Sequence, residues 1–361
     1  MLNSLVIGDL EIKTPIIQGG MGIQVSTAPL AIAVAECGGA GTIATVGLGY
    51  GTEENESNFA EASRKGLENE LRTARAATDG VVGVNILAAL SNYKELARVS
   101  AVEKADFIIS GAGLPMNLPE LTEGHPTKLI PIVSSARAAS ILIRAWKKRY
   151  DRIPDAFVVE GPLAGGHLGF KAEDLSPHSD AGNRLESLVS EVLQVTNDHG
   201  RTAGTHIPVI AAGGVFDGAD IAKFFKLGAD GVQMATRFVT THECSVAQEF
   251  KDLYISATED DLVIIPSPAG MPGRAIRTKL VDRVVAGERV PFRCNYHCLS
   301  PCSPRTAPYC IAQALFNAVS GKLDEAVVFA GSNVSRVDRI ISVQELMDEL
   351  TSETEAALNA D

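Results

Sequence analysis

The stretch IPVIAAGGVFDGADIAKFFKLGADGVQMATRF, residues 207–238, decides the fold. It opens on a short apolar run ending in two glycines, passes through a helical pattern, and closes on a second apolar run. Asp217 stands where a helix N-cap belongs, and Gly228 where a helix ends in the left-handed conformation. The flanking runs are apolar on successive residues, as in parallel strands covered on both faces. The stretch reads as strand, helix, strand.

Six further runs of the same kind come before it. They are TPIIQGG (14–20), GTIATVG (41–47), VVGVNIL (81–87), ADFIISGAG (105–113), KLIPIVSS (128–135) and DAFVVEG (155–161). Helical patterns such as APLAIAVAECGG (28–39) and ARAASILIRAWKKRY (136–150) separate them. Eight strands alternating with helices predict an α/β protein, a (β/α)8 TIM barrel completed near residue 240. The alternative is a doubly wound open sheet. The count of eight favours the barrel, as do the glycines and polar residues gathered after the strands, where barrel active sites lie.

Beyond residue 240 the pattern changes. SATEDDLVIIPSPAGMPGRAIRTKLVDRV (256–284) holds three prolines and reads as a loop followed by a helix. A cysteine-rich segment, a helical IAQALFNAVSGKLDEAVVFAG and a last helix around SVQELMDEL follow. This gives a barrel over residues 1–240 and a smaller, mainly helical C-terminal cap over 241–361, packed on the barrel mouth, with a soft boundary.

Composition narrows the function classes. Of 361 residues, 45% are hydrophobic and 21% charged, as in an ordinary globular protein. A formal charge of −12 argues against a nucleic-acid partner, which needs a basic face. No segment is apolar over the length of a bilayer. The opening residues lack the basic start and apolar core of a signal peptide, so a cytoplasmic, reducing setting is the expectation. Oligomeric state is not legible.

Candidate site residues follow the strands. VVEGPLAGGHLGF (158–170) sets His167 among glycines, including Gly165 and Gly166. Either this is a tight turn with an incidental histidine, or it brings an imidazole, able to exchange protons near neutral pH, against a flat ligand. His178 and His206 sit in polar or proline-bearing stretches and read as solvated. Gly213 and Gly214 after the seventh strand, with Ala235 and Thr236 after the eighth, stand where barrels often bind a phosphate; tight turns are the alternative. Gly19, Gly20 and Met21 after the first strand suit close backbone approach to a ring. Asn85, Gln18 and Gln233 are amides near strand ends and need partners if buried.

Cys294, Cys298, Cys302 and Cys310 are spaced C-x3-C-x3-C-x7-C among prolines. Four thiols so close together suggest soft-metal ligation, with a [4Fe–4S] cluster ahead of zinc. Buried free cysteines are the alternative. His297 lies within the segment.

Together PIIQGGMG, VGVNIL, VVEGPLAGGHLGF, PVIAAGGVFDGADIAKFFKLGADGVQMATRF and PAGMPGRAIRTK resemble the nitronate monooxygenase (2-nitropropane dioxygenase) family. That family includes FMN-dependent enoyl-acyl-carrier-protein reductases. The resemblance runs from about residue 14 to 340 in conserved motif order. It implies an FMN-binding barrel, with Gly19, Gly20 and Met21 on the isoalloxazine and Asn85 and Gln233 at its polar edge or ribityl chain. Gly213, Gly214, Ala235 and Thr236 would hold the phosphate, and His167 matches the active-site histidine. The implied activity is oxidation of nitronates with oxygen. The alternatives are NAD(P)H-dependent enoyl-thioester reduction and flavin binding without turnover. Two departures stand out: Ala235–Thr236 replaces the usual glycine–threonine, and the four-cysteine segment resembles only a less characterised bacterial subgroup carrying PYCIAQAL.

Overall fold

The computed structural model describes residues 2–49, 58–175 and 184–360; His178 lies outside them. A hairpin of β1 (Leu5–Ile7) and β2 (Leu10–Ile12) opens the chain. Each of the eight apolar runs then forms a strand. In order they are β3 (Ile16–Gln18), β4 (Ala40–Ala44), β5 (Val81–Leu87), β6 (Phe107–Gly111), β7 (Lys128–Val133) and β8 (Phe157–Glu160). After a two-residue β9 (Gly166–His167) outside the barrel come β10 (Val209–Ala212) and β11 (Gly231–Met234).

The eight pair in parallel in chain order, and β11 returns to β3, Met234 opposite Gln18. Closure excludes the open sheet. The helices between strands are α1 (Ala28–Glu36), α2 (Phe59–Ala77), α3 (Tyr93–Val102), α4 (Leu118–Leu121), α5 (Ala136–Tyr150), α6 (Arg184–Ala203) and α7 (Gly218–Leu227). The reading of 207–238 holds in detail: the Asp217 carboxylate accepts the Asp220 N–H at 2.9 Å, and Gly228 has φ +103°.

Every residue of β4, β6 and β10 is buried, because one face meets the helices and the other fills the barrel. Inside, Ile17, Phe107, Ile109, Ile130, Val158 and Ile210 pack on Leu5, Ile7 and Ile12 of the hairpin, which plugs the end where the strands begin. Burying each such side chain contributes about 1.5–3 kcal/mol, so the plug also closes the barrel against water. Function is left to the opposite end.

After β11 the chain forms only a four-residue helix, α8 (Thr236–Val239), too short to cover the barrel flank. The following elements are α9 (Gln248–Ser256), β12 (Leu262–Pro266), β13 (Pro272–Ile276), α10 (Lys279–Val285), α11 (Ile311–Val319), β14 (Val328–Phe329) and α12 (Val343–Asn359). The last helix packs on α7 and α1, burying Val343, Leu346, Met347 and Leu350. Glu353 accepts the Gly218 N–H at 2.9 Å, and Lys226 donates to the Ala357 carbonyl at 3.0 Å. The ring of helices thus draws on both sides of residue 240.

The stretch 256–284, expected as a loop and a helix, contains a β12–β13 hairpin. Pro266 and Pro272 face each other at the turn end of this ladder, where a missing N–H costs least. β13 also pairs with β14 and with β9, so a four-stranded antiparallel sheet stands at the mouth. Among the described residues no helix is long and apolar enough to cross a membrane.

Candidate active site

The strand ends and the segment between α8 and α12 enclose a cavity of about 240 Å³. Gly19, Gly20 and Met21 line it from the loop after β3, and Asn85 from β5. Gly165, Gly166 and His167 enter after β8. Gly213 and Gly214 follow β10, and Gln233, Ala235 and Thr236 come from β11 and its exit. Twelve of the candidate residues outside the cysteine segment therefore meet in one space.

Gln18 does not join them. Its Oε1 accepts the Thr42 N–H at 3.0 Å and its Nε2 donates to Ser26 Oγ at 2.8 Å, so its amide holds the β3 loop. His206 is exposed and pairs with Asp230 at 2.7 Å, away from the cavity.

Three glycines are dictated by geometry. A Cβ on Gly20 would lie 2.3 Å from the Asn85 Cβ, so only glycine lets the two loops approach. Gly213 and Gly214 have φ +88° and +100°, a left-handed turn that exposes backbone to the cavity. Around that turn, Asn333 donates to the Gly214 carbonyl at 2.7 Å, and the Gly331 N–H reaches Thr236 Oγ1 at 3.3 Å. Gln233 Oε1 and Ser332 Oγ are buried with no partner among the described residues. A buried polar atom without a partner is costly unless a ligand supplies one.

His167 does not lie in a free loop. It pairs with Gly273 of β13, its ring meets Phe329 edge-on at 5.1 Å, and its Nε2 is 2.6 Å from Ser267 Oγ. Burial pushes the imidazole down to about 4, so it is neutral at physiological pH. Ser267 Oγ also accepts the Ala269 N–H at 3.2 Å.

Three contributors escaped the sequence reading. Glu160 ends β8 at the cavity, and desolvation pushes its carboxyl up to about 8. The signal was present as an acid closing an apolar run, VVE. Arg274 on β13 is 8% exposed and donates to the carbonyls of Pro162 at 2.7 Å and Ala164 at 2.6 Å, bracing the loop that leads to His167. Burial pulls that guanidinium down to about 10. Finally, Phe250 and Tyr254 of α9 with Ile311, Leu315 and Val319 of α11 form an apolar end to the cavity.

The four cysteines line a second cavity of about 260 Å³, together with His297. All are free thiols. Among the described residues, no three His, Cys, Asp or Glu side chains are placed to hold a metal ion. Neither the expected [4Fe–4S] cluster nor zinc is therefore shown by the described residues.

The nitronate monooxygenase family profile matches residues 3–353. The chain is 33% identical over 283 residues to a Mycobacterium tuberculosis (3aS,4S,5R,7aS)-5-hydroxy-7a-methyl-1-oxo-octahydro-1H-indene-4-carboxyl-CoA dehydrogenase, covering 78% of this chain and 68% of the relative. It is 28% identical over 316 residues to a probable nitronate monooxygenase of Staphylococcus saprophyticus, covering 78% and 81%. Among solved structures, FabK from Thermotoga maritima superposes with a TM-score of 0.74 at 29% identity, covering 96% of this chain and 94% of that one. With a closed barrel, a cavity at its mouth and a profile match along nearly its whole length, the chain belongs to the nitronate monooxygenase family of FMN-dependent oxidoreductases.

Proposed function

We propose that the cavity binds FMN and oxidises small nitronates with oxygen. The observation that carries this reading is the convergence of twelve residues from separate strand ends on one cavity, with an unpartnered Gln233 amide oxygen in its wall. Gly19, Gly20 and Met21 would lie against the ring, and Asn85 and Gln233 would meet its polar edge or ribityl chain. Gly213, Gly214, Ala235, Thr236 and the unpartnered Ser332 hydroxyl suit the phosphate. When bound, FMN supplies the redox chemistry, while the protein supplies position and electrostatics.

His167 is the catalytic residue of this reading. Neutral imidazole is a hydrogen-bond partner for a nitronate oxygen rather than a fixed cation. The Ser267 hydroxyl, which also accepts the Ala269 N–H, hydrogen-bonds His167 Nε2 and fixes the orientation of the ring. Glu160, held protonated near neutral pH, adds no negative charge that would repel an anionic substrate. The apolar end offers water few hydrogen-bonding partners.

The apolar end also favours a second reading, reduction of an enoyl thioester with NAD(P)H, because α9 and α11 offer an apolar tail a place to lie. Oxygen uptake with a nitronate, set beside anaerobic bleaching of the flavin by NADH or NADPH, separates the two. In the first reading His167→Ala keeps its flavin and loses nitronate turnover. Absence of bound flavin from the purified protein would refute both.

A further inference from the structure

The cysteine segment takes no part in the reading above, and its geometry is specific. Cys294, Cys298, Cys302 and Cys310 all face one chamber of about 260 Å³. Even so, no three of these side chains are placed to hold a single ion. No disulfide joins any two of them. Four thiols that surround a space without converging on a point fit a ligand wider than one ion, one that itself bridges the sulfurs.

One backbone N–H is aimed at a cysteine sulfur. His297 adopts φ +45°, unusual for a residue other than glycine, and its N–H points at Cys294 Sγ at 3.4 Å. Cys310 directly precedes α11. Hydrogen bonds to ligand sulfurs are one means by which proteins tune iron–sulfur clusters.

We propose that this chamber binds a [4Fe–4S] cluster through Cys294, Cys298, Cys302 and Cys310. Thiolate sulfur selects soft metals, and four sulfurs around one chamber that do not converge on a single ion match a polynuclear core. Loading moves no electrons. A [4Fe–4S]2+ core delivered on four external thiolates exchanges them for the four cysteines, and each cysteine proton leaves on a departing thiol. The cluster would stand beside the active cavity, because Cys298, Leu299 and Ile311 line both spaces.

The test uses full-length protein purified without oxygen, with iron, acid-labile sulfide, zinc and flavin measured on one sample. The expected result is about four irons and four sulfides per chain, with a paramagnetic signal on reduction by dithionite. Cys302→Ser should lose that signal while keeping its flavin, and Cys37→Ser, outside the chamber, should keep both. Zinc in place of iron, two irons per chain, or no metal after exposure to the preformed cluster overturns the proposal. Flavin content is read separately, so protein with the cluster and no flavin would refute the function proposed above and leave this site standing.

Discussion

Glu160→Gln tests whether the cavity truly desolvates its polar lining. The Glu160 carboxyl rises from 4.5 to about 8 on folding, through burial alone. Because the folded pKa lies above the unfolded one, the protonated form is the one that folding favours. Stability linked to this group is complete below 4.5 and is lost as pH climbs through about 8. At about 1.4 kcal/mol per pKa unit the full shift corresponds to about 5 kcal/mol. Water in the cavity screens part of this, leaving about 2–3 kcal/mol in urea unfolding. Glutamine keeps the shape and cannot ionise. The variant should therefore match wild type near about pH 5 and exceed it by that amount near about pH 8.5, both stripped of flavin. His167 has the opposite linkage: its lowered pKa costs stability as pH falls from 6.5 towards about 4. It is present in both proteins and cancels in the difference. A difference that stays constant with pH, or a wild type more stable than the variant at high pH, would refute the reasoning.

Other outcomes follow from single contacts. Gly20→Ala places a Cβ 2.3 Å from that of Asn85, so the purified variant should carry less flavin than wild type, measured by its visible absorbance. Gly213→Ala forces a side chain into φ +88°, 2.9 Å from the Ala164 Cβ; a loss of about 1–3 kcal/mol in urea unfolding is expected. Ser267→Ala removes the partner of His167 Nε2 and should lower turnover about tenfold with flavin content unchanged, as expected for one hydrogen bond of about 1–1.5 kcal/mol. Leu315→Trp fills the apolar end, so KM should rise for substrates with long apolar tails and stay level for a small nitronate.

The eight strands and the barrel were legible in residues 14–238 because their signals are local. Continuous apolar runs report two covered faces, and Asp217 and Gly228 mark a helix by their own backbone preferences. The glycines at 19–20, 165–166 and 213–214 marked the mouth for the same reason, since turn chemistry is written within a few residues. What the segment between α8 and α12 does was hidden. Pro266 and Pro272 imitate a loop, yet stand at the end of a ladder whose pairing depends on a partner strand. The final helix gave no sign that it completes the barrel ring, because that position follows from the shortness of α8.

By itself, then, the order of residues determined the barrel, its open end and the group of candidates around it. Only the tertiary structure decided the chemical state of that group. Ser267 reaches His167 across a hundred residues of sequence, and Glu160 and His167 owe their shifted pKa values to walls built from distant segments. Strand and turn preferences act between near neighbours, whereas desolvation and pairing depend on everything that folds against a side chain, and no run of adjacent residues carries that information.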